Sequence, residues 1–107
     1  MKAVIVGPDR SLSDALADVG VEIAFVEGMA TGESLDAAGI VDADLLVLSD
    51  TAEATAVPVA KDRNPDVRVV FYTHDGIPEF VRGQLDLAID PDLLSPGVVA
   101  EELAGAA

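Results

Sequence analysis

The chain contains no cysteine and no tryptophan, and it has only one histidine. Without cysteine it cannot form a disulfide, provide a thiol nucleophile or build a cysteine-ligated zinc site. Its 6 basic residues stand against 20 acidic ones, which gives a formal net charge of −14. Because nucleic acid binding requires clustered Lys and Arg to neutralise phosphates, this balance argues against a nucleic acid partner.

Long apolar runs are also missing. No run approaches the ~20 residues of a transmembrane helix, and Lys2 leads into a strand-like segment rather than a signal peptide. We therefore expect no direct membrane insertion and a cytoplasmic location. The length of 107 residues predicts a single domain over residues 1–107.

Half of the residues are hydrophobic, so burial can offset the entropy of ordering a highly charged chain. The acidic balance, the excess of Ala and Val and the scarcity of Lys are similar to those of proteins from extremely halophilic archaea. That resemblance implies that most carboxylates are surface groups in molar salt, where the electrostatic screening length is about 3 Å.

Five short apolar runs alternate with segments of helical periodicity. They cover residues 3–6, 21–26, 45–48, 67–72 and 85–89. Runs that are apolar on both faces are typical of a parallel sheet covered by helices. The alternation predicts an α/β domain of three layers, αβα, with a five-stranded parallel sheet and right-handed crossovers.

The intervening segments carry helix signals. Helices are predicted over residues 12–19, 31–38, 51–63, 78–84 and 96–103. Ser11 is the predicted cap of the first helix, and Ser95 followed by Pro96 opens the last one. Pro58 lies inside the third helical pattern, so we expect a kink or a broken first turn there.

The loop after the first strand is the place where a dinucleotide-binding G-x-G-x-x-G motif would lie. Gly7 is present, but Asp9 replaces the second glycine and Leu12 the third. The following helix N-terminus and Arg10 could still attract an anion. Glu27 ends the second strand, where such folds place the acid that binds a ribose.

Acidic and hydroxyl residues follow the other strands. Asp9, Asp50 and Asp75 could converge on Mg²⁺, as in a phospho-acceptor receiver domain, with Thr73 after the fourth strand. A receiver also carries Lys-Pro after its fifth strand, whereas this chain has Asp90-Pro91, so the lysine that would pair with a phosphate is absent.

The spacing of the polar residues gives little support for a catalytic site or a metal site. A triad can be drawn from Ser49, His74 and either Asp50 or Asp75, but no G-x-S-x-G nucleophile elbow accompanies it. A single histidine with neither cysteine nor a second histidine does not by itself build a transition-metal site. We therefore predict no catalytic residue and no metal ligand.

Four segments, residues 38–50, 53–55, 60–70 and 86–91, resemble the TrkA-type nucleotide-binding domain, the RCK module of potassium transport. The resemblance implies a degenerate Rossmann-type domain. Residues 29–39 are too few for a full helix, strand and second helix, so one edge strand would be deleted and the strand order becomes 2-1-3-4-5. The resemblance also implies that NAD or an adenine nucleotide binds over the crevice between strands one and three. The lining residues are then Gly7, Asp9, Arg10, Glu27, Ser49 and Asp50.

The functional hypothesis is a small non-catalytic regulatory or protein-binding domain with weak residual nucleotide binding. A homodimer and a separate protein partner are both expected for such a module. Two alternatives stay open: a pseudo-receiver signalling domain with a Mg²⁺-binding acidic cluster, and an enzyme of unidentified chemistry.

Overall fold

The strands of the computed structural model, which describes residues 1–9, 11–26 and 28–105, form one parallel sheet. They are β1 Lys2–Val6, β2 Glu22–Phe25, β3 Leu45–Leu48, β4 Arg68–Tyr72 and β5 Leu87–Ile89. Their order is β2-β1-β3-β4-β5, and each neighbouring pair is parallel. The predicted fold class and strand order are therefore confirmed.

Helices cover both faces of this sheet. The α-helices of the described residues are α1 Leu12–Asp18, α2 Gly32–Ala37, α3 Ala56–Arg63 and α4 Pro96–Gly105. Short 3-10 helices span Ile40–Asp42, Thr51–Glu53 and Glu79–Val81. None of the helices in the described ranges combines the length and apolar character that crossing a membrane requires.

Side chains alternate between two apolar layers, because successive residues of a strand point to opposite faces. On one face, Val4 packs in a cluster with Leu35 of α2 and with side chains of α3. On the other face, Ile5 packs with Leu16 of α1 and Leu103 of α4. The continuous apolar runs of the sequence are thus explained by burial on both sides.

Helix α1 begins differently from the prediction. Ser11 precedes the helix but has a left-handed backbone, with φ 66°, and its side chain makes no capping hydrogen bond. An N-cap side chain normally acts from extended backbone. Asp9 takes the role instead, since its carboxylate accepts hydrogen bonds from the Ser13 N–H at 2.8 Å and the Ser13 hydroxyl at 2.6 Å.

Two further predicted helices contain proline, and the structure bears out the prediction for one of them. The predicted helix over residues 51–63 is split into a 3-10 turn, Thr51–Glu53, and α3, which confirms the broken first turn. Pro58 lies in the first turn of α3, where its missing N–H removes no intrahelical bond. The predicted helix over residues 78–84 is only the 3-10 turn Glu79–Val81. Val81 is buried whereas Phe80 is 60% exposed, and Gly83, a poor helix former, follows two residues after Val81.

Candidate functional site

The ends of β1 and β3 meet side by side, as a site at their crevice requires. Val6 is the register partner of Leu48, so Gly7 and Ser49 follow at adjacent positions. Gly7 has φ +96°, and a Cβ atom built there would lie 2.8 Å from Ser49 Oγ and 3.2 Å from the Asp50 nitrogen. Only glycine fits this position without strain.

The Ser49 side chain joins the two loops. Its Oγ lies 3.3 Å from the Val6 carbonyl oxygen and is also within hydrogen-bonding distance of the Pro8 carbonyl oxygen. The residue is only 2% exposed. A buried hydroxyl therefore links the ends of β1 and β3 at the crevice where the resemblance placed a nucleotide.

The carboxylates beside this crevice serve as local caps. Asp9 caps α1 through Ser13, and Asp50 Oδ1 accepts a hydrogen bond from the Ala52 N–H at 2.9 Å. Arg10 and Glu27, the other two residues of the predicted nucleotide set, lie outside the described residues. The structure brings Gly7, Ser49 and Asp50 together, and nucleotide binding by the set stays a prediction.

Asp75, one of the three acids of the predicted magnesium cluster, forms hydrogen bonds with Thr73 of the same loop. Thr73 is 6% exposed, its Oγ1 lies 3.3 Å from Asp75 Oδ2, and it accepts a hydrogen bond from the Asp75 N–H at 3.2 Å. Within the described ranges, three metal-ligating side chains converge within 4.8 Å at a different place, which contains neither Asp9 nor Asp50.

That place is formed by His74, Asp90 and Asp92. His74 Nδ1 lies 3.1 Å from Asp90 Oδ1 and 3.0 Å from Asp92 Oδ2. His74 follows β4 and Asp90 follows β5, two strands that are paired in the sheet. Because His74 faces these two acids while Ser49 Oγ faces main-chain carbonyls, the described contacts do not assemble the Ser-His-Asp triad drawn from the sequence.

The sequence did not predict this group, because His74 has neither a second histidine nor a cysteine to accompany it. A signal was available, since the Asp-Pro-Asp turn after the fifth predicted strand should lie beside the loop that follows the fourth.

An apolar groove of about 560 Å³ lies along the edge strand β5 and helix α4. Its lining consists of Leu87, Ala88, Ile89, Asp90, Leu93, Leu94, Val98, Val99 and Glu102. Leu93 is 78% exposed and Val98 is 44% exposed, which is unusual for large apolar side chains that line one depression. We call this feature the β5–α4 groove. The sequence pattern does not predict this groove, because residues 93 and 94 lie outside every predicted element.

Comparison with protein families matches residues 3–103 to DUF7126, a family of unknown function. The chain belongs to this family. A comparison with curated proteins gives no match.

Three solved structures share the fold. An orphan response regulator of Helicobacter pylori superposes with a TM-score of 0.75 at 16% identity, over 98% of this chain and 94% of that one. A pilus assembly-related protein from Burkholderia pseudomallei gives a TM-score of 0.69 at 18% identity, over 99% and 88%. A protein assigned to pilus assembly, CpaE from Burkholderia thailandensis, gives 0.64 at 16% identity, over 98% of each chain.

The assignment to the TrkA-type, NAD(P)-binding family is therefore wrong. Residues that carried that resemblance have structural roles in this fold. Asp44 Oδ2 accepts a hydrogen bond from the Lys2 N–H at 2.8 Å, and Asn64 Nδ2 donates to the carbonyls of Ile40 and Ala43 at 3.0 and 2.8 Å. Both residues therefore hold the loop that precedes β3.

Proposed function

We propose that the chain is a non-catalytic signalling module of receiver shape that works by binding another protein, without phosphoryl transfer. The observation that carries this proposal is the β5–α4 groove. The likeness to a response regulator supports the shape alone. The groove supplies what a docking module needs, an exposed apolar depression beside an unpaired strand edge.

Phosphoryl chemistry is disfavoured by the surroundings of Asp50. Its carboxylate is committed to the Ala52 N–H, and the residue after β5 is Asp90, where a receiver has its lysine. A phosphate on Asp50 would thus lack the cation that a receiver supplies from that position. We expect beryllofluoride with Mg²⁺ to leave the amide spectrum unchanged. A response present in the wild type and absent in Asp50→Asn would contradict this part of the proposal.

The chemistry of the partner follows from charge. Asp90 and Glu102 flank the apolar lining, and the chain as a whole carries −14. A segment that presents apolar side chains to the groove and Lys or Arg to its rim is complementary to both features. A second copy of this chain would bring its own acidic groups into contact with Asp90 and Glu102, and such like-charge contacts oppose self-association through this face. We therefore assign the groove to a cationic amphipathic segment of a different protein.

A pair of charge-matched variants tests the groove. A labelled Leu/Lys amphipathic peptide is titrated with wild-type protein, Val98→Asp and Phe80→Asp, and binding is followed by fluorescence anisotropy. Val98 lines the groove, while Phe80 is exposed outside it. Both variants add one negative charge, so purely electrostatic association would strengthen in each. We expect Val98→Asp to weaken binding by about tenfold, equal to about 1.4 kcal/mol, and Phe80→Asp to bind at least as well as wild type.

Two results would contradict the proposal. One is equal binding of Val98→Asp and Phe80→Asp. The other is equal binding of a Leu/Glu peptide of the same length. In the first case the groove plays no part, and in the second the acidic rim does not select the partner.

A further inference from the structure

The chain's single imidazole and two carboxylates converge at the ends of β4 and β5. His74 Nδ1 is the shared point, 3.1 Å from Asp90 Oδ1 and 3.0 Å from Asp92 Oδ2, and the three ligand atoms lie within 4.8 Å of one another. Asp90 is held in place by a hydrogen bond that its Oδ1 accepts from the Asp92 N–H at 2.8 Å. We propose that His74, Asp90 and Asp92 form a binding site for a divalent transition-metal ion such as Zn²⁺.

The spacing agrees with metal coordination. Zinc lies about 2.0–2.2 Å from imidazole nitrogen and carboxylate oxygen, so two ligands of one ion are separated by about 3.0–3.4 Å in octahedral or tetrahedral geometry. The two nitrogen–oxygen distances already fall in or next to this range. The His74–Asp90 and His74–Asp92 pairs thus already have the spacing of two ligands of one ion, and the Asp90 and Asp92 oxygens lie within 4.8 Å of each other.

The donor set selects the class of ion. Mg²⁺ and Ca²⁺ take oxygen ligands, whereas an imidazole nitrogen beside carboxylates suits Zn²⁺, Co²⁺ or Mn²⁺. This nitrogen distinguishes the group from the many solvated acids of the chain. The side chains of His74 and Asp92 are 44% and 78% exposed, which leaves room for water to complete the coordination.

Metal binding would add to the proposed function without depending on it. Asp90 belongs to the ligand group and also lines the β5–α4 groove. An ion would join the loop after β4 to the loop after β5 and so restrain one end of the groove.

The single histidine provides a direct probe. The imidazole carbon-bound protons are followed by NMR while Zn²⁺ is added to the full chain, with excess Mg²⁺ present to occupy unspecific acidic sites. We expect one set of imidazole signals to shift and saturate at one equivalent of Zn²⁺. Asp92→Asn removes a ligand and should weaken the response by at least about tenfold, since even outer-shell partners contribute ~10–100-fold to metal affinity.

Asp66→Asn is the matched control, because it removes the charge of another exposed carboxylate that precedes β4, at the opposite end of that strand from His74. It should bind Zn²⁺ as the wild type does, and His74→Gln should abolish the one-equivalent heat in calorimetry. The proposal is overturned if Zn²⁺ leaves the imidazole signals unmoved, or if Mg²⁺ alone moves them equally. It is also overturned if Asp66→Asn weakens the response as much as Asp92→Asn.

Discussion

Ser49 Oγ lies 2.8 Å from the point that a Cβ atom on Gly7 would occupy, and the Gly7 backbone has φ +96°. An added methyl group there would meet both backbone strain and a buried neighbour. We expect Gly7→Ala to lower the free energy of unfolding by about 1–2 kcal/mol for the left-handed backbone and by about 1–3 kcal/mol more for overpacking. Urea denaturation measures the sum.

Gly20 is the matched control for this substitution. It has φ +87°, but nothing lies within 4 Å of a Cβ atom built on it. Gly20→Ala should therefore show the backbone cost alone. If Gly7→Ala and Gly20→Ala destabilise the protein equally, the close contact between the β1 and β3 loops is not present in solution.

The Asn64 side chain gives a second stability prediction. Its Nδ2 donates to the carbonyls of Ile40 and Ala43, and its Oδ1 accepts from the Asp66 N–H at 3.1 Å. Asn64→Ala should cost about 1–3 kcal/mol, because part-buried carbonyls lose their donors. Asn64→Asp keeps the acceptor but not the donors and should cost at least as much. A loss below about 0.5 kcal/mol, typical of a surface substitution, would rule out this bonding.

Nucleotides should not stabilise the fold. The Ser49 hydroxyl donates a hydrogen bond to the Val6 carbonyl at the β1/β3 crevice, and the Asp9 carboxylate at the start of α1 would repel a phosphate there. A ligand at a hundredfold excess over its dissociation constant adds about 2.7 kcal/mol. We expect millimolar NAD, NADH, AMP, ADP and ATP each to leave the thermal midpoint unchanged in differential scanning fluorimetry. A reproducible rise with any one of them would support the nucleotide site predicted from Gly7, Asp9, Arg10, Glu27, Ser49 and Asp50.

Salt should stabilise the protein strongly. With 20 acidic and 6 basic residues, repulsion between carboxylates opposes the folded state at low ionic strength. At 1 M salt the screening length falls to about 3 Å and this repulsion is largely removed. We expect the thermal midpoint to rise steadily with NaCl or KCl concentration by circular dichroism. A midpoint independent of salt would contradict the comparison with halophilic proteins.

The layered fold was predictable because its signals are local. Each strand is a short apolar run, and burial on both faces follows from runs such as residues 45–48. The strand order was reached through the wrong family, since a shortened Rossmann half and a receiver share the order 2-1-3-4-5. The pattern therefore identifies the architecture and not the family.

The candidate sites were harder to predict because they depend on contacts between loops. That Asp92 reaches His74 depends on the register of β4 with β5 and on the turn at Pro91. The capping role of Asp9 depends on the left-handed backbone of Ser11. Neither feature has a sequence period, so spacing alone does not reveal it.

Backbone amide NMR with the Leu/Lys peptide tests the central claim most directly, since every described residue except the prolines reports its own position. The account predicts that peptide-induced shifts cluster at residues 87–90 and 93–102, along the β5–α4 groove. It predicts no shift at Gly7, Ser49 or Asp50. Shifts centred on these three residues, with the groove unaffected, would contradict it.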